Sequence, residues 1–474
     1  MNSMGMLIGG QEHSGSTREE VKNPYTGETV GEVALGTSED MDAAIGHATS
    51  AFAETRTLPA HARADILQRV AVALQERREE LARLMVAESG KPIQYARGEV
   101  DRAVLTFGLG IDESRRATGE VHPTDIAPSG EGRLCLHTRV PRGPVAAISP
   151  FNFPLNLVAH KLSPATAVGA STVLKPPAQC PMTALTLGRI FQEAGMPPGG
   201  LNVVHCSPEV GERMVRDDRM KVLSFTGSDV LGWRLKALAP RKKTLLELGG
   251  NAPAILAEDA DWREHMDRLI MGAWAHAGQV CIKTQRIYVH RSHHADFLEA
   301  FVDATRQVVA GDPMNEATMV GPLIEPHHVD RVMGIIREAQ AQGAEVLSGG
   351  EADGSVVQPT VLTGVTEEMR VVQEEVFGPV TAILPFDDFD QVLDTCNAGR
   401  FGLHAGVFTQ DIDRALHAFE RLEYGGVIIN DVPTFRIDNF PYGGVKDSGD
   451  GREGVRWAAE EMTEPKVLVI RRRT

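Results

Sequence analysis

The chain changes rhythm several times along its length, and each rhythm predicts an element. Residues 20–36 (EVKNPYTGETVGEVALG) alternate apolar and polar positions around Asn23-Pro24 and Thr26-Gly27, which predicts a β-hairpin. Ser38 with Glu39 and Asp40 marks a capped helix start. Periodicity from Pro59 predicts one long amphipathic helix over residues 59–86, and another follows over 94–116. Between residues 143 and 250 the apolar runs VAAISP, STVLKP, LNVVH, KVLSFTGS and TLLELGG alternate with helical stretches such as LNLVAHKLSPATAVG and MTALTLGRIFQEAG. Strands alternating with helices imply a parallel, doubly wound α/β sheet that binds ligands at the carboxyl ends of its strands. Asn152, Lys175, Ser228 and Glu247 all fall at such ends.

Beyond residue 250 the alternation continues less regularly, through APAIL, RIYVH, helices over 294–309 and 326–342, and later strands within VVQPTVLTGV, EEVFGPVTAILPF, GVFTQ and GGVIIN. This predicts a second α/β unit, with the glycine-rich residues 440–454 forming a loop that approaches a site. Residues 120–142 and the terminal EPKVLVIRRR read as isolated strands. Their unpaired edges need partners, and pairing across subunits would make the protein an oligomer.

With 474 residues, two or three domains are expected. A hydrophobic fraction of 42% and a charged fraction of 24% are those of a soluble globular chain. The net charge of −16 argues against nucleic acid or an anionic membrane as partner. No apolar run is long enough to span a bilayer, and the first residues lack a secretory pattern, so the cytoplasm is the expected location. Five scattered cysteines (Cys135, Cys180, Cys206, Cys281, Cys396) have no zinc-ligand spacing, and no metal is expected. The His293-His294 pair reads as a solvated helix start.

Residues 245–286 bring the chemistry into focus. An apolar strand ends in Glu247, turns at Gly249 and Gly250, and leads through a helix to Gly-Gln-Val-Cys at 278–281. A carboxylate at a strand end and a cysteine beyond a helix meet once the helix packs back, suggesting a thiol nucleophile with a base nearby. The segment FTGSDVLG places Gly227 and Gly232 at a turn into a helix, where backbone N–H groups can meet a phosphate.

Seven segments in order, PFNFPL (150–155), VLKPP (173–177), FTGS (225–228), ELGGNAP (247–253), GQVC (278–281), EEVFGPV (374–380) and PYGGVKDSG (441–449), resemble the aldehyde dehydrogenase superfamily over nearly the whole chain. The resemblance implies a Rossmann-like dinucleotide-binding domain (1–119 and 143–249), an α/β catalytic domain (250–457) and a small β oligomerisation ribbon (120–142 and 458–474). It also implies a homodimer or homotetramer. Cys281 would attack the aldehyde, Asn152 and the Cys281 backbone N–H would hold the oxyanion, and Glu247 would activate water against the thioester. Lys161 matches a lysine tied to proton relay. Lys175 and the position of Ala178 would meet the adenosine ribose of NAD or NADP. Phe225, Gly227, Ser228 and Gly232 would surround the pyrophosphate, with Glu375 on the nicotinamide ribose and Phe377 beside the ring. Arg102, Phe153, Arg436 and Tyr442 would face the substrate.

The departures from the family pattern carry information. Ala178 stands where many NAD-preferring members have a glutamate, so repulsion of a 2′-phosphate is lost and NADP is expected to serve at least comparably with NAD. His276 replaces a usual asparagine and is expected to be a packed, satisfied histidine. The C-terminal segments are similar to the lactaldehyde, phosphonoacetaldehyde and non-phosphorylating glyceraldehyde-3-phosphate branch, implying a small, polar or weakly anionic aldehyde. Val280, where members using phosphorylated substrates often carry arginine, speaks against a phosphate. Two other readings stay open: acyl transfer to coenzyme A, against which Glu247 argues, and a catalytically silent binding or structural protein, against which Cys281, Glu247 and Asn152 together argue.

Overall fold

The computed structural model describes residues 2–116 and 119–472. The expected hairpin forms from Thr17–Lys22 and Thr29–Leu35, and helix Ser38–Thr55 starts one residue beyond Thr37, which exchanges capping hydrogen bonds with Asp40. The predicted helix over 59–86 is two helices, Ala60–Glu76 and Arg78–Ser89. Its apolar stripe runs through Leu67, Val70, Ala71 and Leu74 and resumes at Leu81, Met85 and Val86. The break falls at Arg77, and Arg77 and the Arg78 that opens the second helix pair at the surface with Glu80 and Asp101 and do not continue the buried face.

Two sheets organise the remainder. The first has eight strands, and its parallel centre runs Lys243–Glu247, Val222–Thr226, Val145–Ile148, Thr172–Lys175, Leu201–Val203. These strands are nearly all buried, as expected where helices cover both faces. Gly449–Asp450, from the glycine-rich loop, adds antiparallel to Lys243–Glu247 and so ties the late chain to the first sheet. The second has seven strands in the order Glu345–Ser348, Thr360–Thr363, Val380–Phe386, Thr284–His290, Ala252–Leu256, His404–Phe408, Gly426–Ile429. Its core gathers Trp274, Phe297, Phe301 and Phe408 against the central strands.

The ribbon corrects an expectation. Arg133–Pro141 and the terminal Thr463–Arg471 pair antiparallel with each other over nine positions, and Gly119–His122 completes a three-stranded sheet. The terminal strand therefore finds its partner within its own chain; Arg473 lies outside the described residues. The hydrogen bonds are satisfied on one edge, yet Val467, Leu468, Val469 and Ile470 remain exposed. No helix among the described residues is long and apolar enough to cross a membrane.

Candidate active site

Cys281 lies in the loop between helix Met266–Trp274 and strand Thr284–His290, and its approach is unusual. His276, Ala277 and Gly278 all hold left-handed backbone conformations (φ 52°, 55° and 67°). Two of them carry a Cβ, and each such residue costs about 1 kcal/mol. Strain of this kind is tolerated where surrounding structure over-determines the chain. Here Gly250 supplies part of that constraint: a Cβ on it would stand 2.3 Å from the Cys281 carbonyl oxygen. Asn152 supplies more, donating from Nδ2 to the Gln279 carbonyl at 2.9 Å. That leaves the second Nδ2 hydrogen uncommitted by this bond.

Cys281 Sγ lies 3.0 Å from the Tyr442 hydroxyl. Burial pushes the thiol up to about 12 against that hydrogen bond, with Glu375 and Glu247 adding to the rise and Arg436 opposing it. Phe153, Val280, Ile282, Leu403 and Tyr442 form the apolar wall around the sulfur. Glu247 ends its strand buried, and neither carboxylate oxygen has a hydrogen-bond partner among the described residues. Burial first, and the Glu453 charge second, raise its carboxyl well above the ordinary value; Arg436, Lys161 and Arg452 pull the other way.

Lys161, one helix inward, is also buried and donates to Thr226 Oγ1 at 2.7 Å, with Glu453 at 3.5 Å. Arg436 donates to Glu453 at 3.1 Å and stacks 3.6 Å over the Tyr442 ring. Burial alone would raise Glu453, but Lys161, His160 and Arg436 outweigh it and hold the carboxyl below its ordinary value. Glu453 was not singled out in the sequence, although it sits in the glycine-rich loop that was. Also unanticipated are Lys91 and Glu99, a fully buried pair. Glu99 Oε1 accepts from the Leu155 and Asn156 N–H groups, and the Lys91 ammonium stands 3.7 Å over the Phe153 ring. They fix the loop that carries Asn152.

The two arginines expected to face substrate are differently disposed. Arg436 is buried in the Glu453 cluster, whereas Arg102 is held by both oxygens of Asp438 with 31% of its side chain exposed. His276 is buried and kept neutral by burial and by Lys91. It is packed as expected, its ring edge-on to Phe153 at 6.2 Å, with the Asn152 backbone near enough to favour its charged form. The fold also gathers Glu325, His327 and His328 with ligating atoms within 4.8 Å, which the histidine spacing did not suggest.

A second group of residues lines up along the strand ends. Lys175 closes its strand, largely buried, and Ala178 lines a cavity of about 370 Å³ beyond it. Ser228 precedes helix Asp229–Leu238 without a side-chain cap, so the first-turn N–H groups stay available. Gly227 and Gly232 permit the tight turn: a Cβ on either would collide with the Phe225 ring or Leu248. Glu375 accepts from the Gly250 N–H at 3.0 Å and is pushed up to about 7 by burial. Phe377, left-handed at φ 45°, meets the Phe151 ring edge-on at 5.9 Å.

The model of the aldehyde dehydrogenase family matches residues 11–468. The chain belongs to the aldehyde dehydrogenase family. This aldehyde dehydrogenase is 39% identical to the 3-sulfolactaldehyde dehydrogenase of Priestia aryabhattai, over 98% of both chains. It superposes with a TM-score of 0.97 on aldehyde dehydrogenase 21 from Physcomitrella patens in complex with the reaction product succinate, at 40% identity over 99% of this chain and 98% of that one. The glyceraldehyde-3-phosphate dehydrogenase GapN of Methanocaldococcus jannaschii, complexed with NADP, superposes at 0.93 with 37% identity, over 96% and 100% of the two chains. The protein is thus an NAD(P)-dependent aldehyde dehydrogenase, with a Rossmann-like α/β half, a catalytic α/β half and a β ribbon. The residues present fit a nicotinamide dinucleotide: an uncapped helix N-terminus suits a pyrophosphate, and Lys175 and Glu375 offer a donor and an acceptor for riboses.

Proposed function

We propose that the aldehyde dehydrogenase oxidises a small, polar or weakly anionic aldehyde to its carboxylate, with Cys281 as nucleophile and Glu247 as the base for hydrolysis. The observation that carries this is an unpartnered buried carboxylate, Glu247, whose charge acts on a half-buried thiol, Cys281, set in an apolar wall. The thiol must lose its proton to attack, and the carbonyl oxygen that becomes anionic would be met by Asn152 Nδ2 and the Cys281 backbone N–H. Lys175, the Phe225–Ser228 turn, Gly232, Glu375 and Phe377 would hold NAD(P), which would supply the hydride acceptor. Glu247, having no hydrogen bond to surrender, then takes a proton from water as it attacks the thioester, and its raised pKa makes it the stronger base. Lys161, bonded to Thr226 and close to Glu453, acts on the Glu247 charge and is the residue placed to relay that proton.

For the substrate, Arg102 retains exposed donors beyond the two that Asp438 takes, whereas Arg436 serves the Glu453 cluster. Arg102 is therefore the anion contact, with Phe153 and Tyr442 as walls. The relatives support a short acyl chain with an acidic end: a sulfolactaldehyde, an aldehyde giving succinate, and glyceraldehyde 3-phosphate. Both NAD and NADP serve, since Ala178 offers no charge against a 2′-phosphate and GapN holds NADP. The exposed Val467, Leu468, Val469 and Ile470 support a homodimer or homotetramer assembled through the ribbon, in the cytoplasm. A panel of small aldehydes assayed with each nicotinamide cofactor tests the proposal. Turnover of short anionic aldehydes with release of free acid supports it. Acyl-coenzyme A as the product when coenzyme A is supplied, or no turnover at all, overturns it.

A further inference from the structure

The N-terminal hairpin reaches the cofactor end of the first sheet. Gly36 bridges to Cys206 and donates to the His205 carbonyl at 2.7 Å, docking the hairpin just past strand Leu201–Val203. That strand lies beside Thr172–Lys175, with Val203 opposite Leu174. His205 and Lys175 are therefore neighbours at the same rim. Along Thr17–Lys22 the side chains alternate, and Glu19 shares the inward face with the buried Val21 and with its cross-strand partner Val33. His205 Nε2 and Glu19 Oε2 meet at 2.8 Å, which fixes the carboxylate at this rim. Glu19 and Ala178 line the same cavity of about 370 Å³. Lys175 feels the charges of Glu19 and Glu209.

Resting on the reading that Lys175 meets the adenosine ribose, we propose that Glu19, oriented by His205, sets the discrimination between NAD and NADP. The hairpin delivers to the ribose rim the negative charge that Ala178 lacks. A carboxylate there accepts from ribose hydroxyls and opposes a 2′-phosphate. The Glu19 side chain is 51% exposed, so solvent screens the repulsion and NADP still binds, less tightly than it would without Glu19. His205 is a positioning residue in this arrangement. Glu20 is the natural control: it lines the same cavity but sits on the opposite strand face, 3.8 Å from Lys22.

Equilibrium titrations of NAD⁺ and NADP⁺, read by tryptophan fluorescence without substrate, test this on the wild type and on Glu19→Gln, Glu20→Gln, Glu209→Gln and His205→Gln. Glu19→Gln is expected to tighten NADP⁺ about tenfold relative to NAD⁺ at low ionic strength, with the gain shrinking as salt is added. Glu20→Gln should leave the ratio unchanged, and His205→Gln should shift it part of the way. A ratio in Glu19→Gln within twofold of wild type, or a larger shift in Glu20→Gln or Glu209→Gln, overturns the assignment. Failure of the wild type to bind either nucleotide overturns instead the cofactor reading beneath it.

Discussion

Replacing Glu247 by glutamine separates the two halves of the reaction. The substitution keeps the shape of a side chain that makes no hydrogen bond among the described residues, so little folding free energy depends on its charge. It removes the only feature the second half uses, a group able to accept a proton. General-base assistance contributes about 10²–10⁴ in rate, or about 3–5 kcal/mol of barrier, and steady-state turnover should fall within that range. The first half should not fall with it. The Glu247 charge is among those that raise the Cys281 thiol, so its loss eases ionisation of the sulfur. Stopped-flow absorbance should therefore show a burst of reduced cofactor equal to the active-site concentration, followed by slow turnover. Intact-mass measurement should find the acyl group on Cys281. Absence of a burst, with the first turnover slowed as much as the steady state, would refute the division of labour and assign Glu247 to the thiol instead.

Because burial pushes the thiol up to about 12, its thiolate fraction grows about tenfold per pH unit, and alkylation by iodoacetamide should climb without a plateau between pH 6 and 9. A plateau below pH 8 would contradict this. Tyr442→Phe removes the hydrogen bond that lowers the thiol, so alkylation at fixed pH should slow severalfold. Glu99→Ala leaves the Lys91 ammonium buried and two helix N–H groups unmet, costing about 3–5 kcal/mol; a melting temperature within a degree of wild type would show the pair to be dispensable. Val469→Asp, on the exposed terminal strand, should lower the assembled mass in light scattering without lowering the melting temperature of the chain.

Much of this was legible because the parallel strands are short apolar runs and their polar ends stand out. Asn152, Lys175 and Glu247 are marked by the abrupt change of character beside them. The same logic fails where a charge is buried through a partner distant in sequence. Lys91 and Glu99 read as ordinary helix charges, and only the packed fold shows them sealed under Phe153. Glu453 is joined to Lys161 and Arg436 from three separate segments, so no local pattern could announce it. Nor could periodicity show that the 59–86 helix would break at Arg77, since exposed arginines are common in unbroken ones. The terminal strand was recognisable as a strand, but its partner lies more than three hundred residues earlier.

The backward-wound residues before the nucleophile have one more implication. A segment coiled against its natural hand resists drifting, because any nearby alternative must break the contacts that clamp it. Exchanging Ala277 for glycine would make the same pose more comfortable, and with it many others. The result would be a calmer loop around a sulfur that no longer returns to one place, so that part of the enzyme's accuracy resides in the discomfort of a single methyl group.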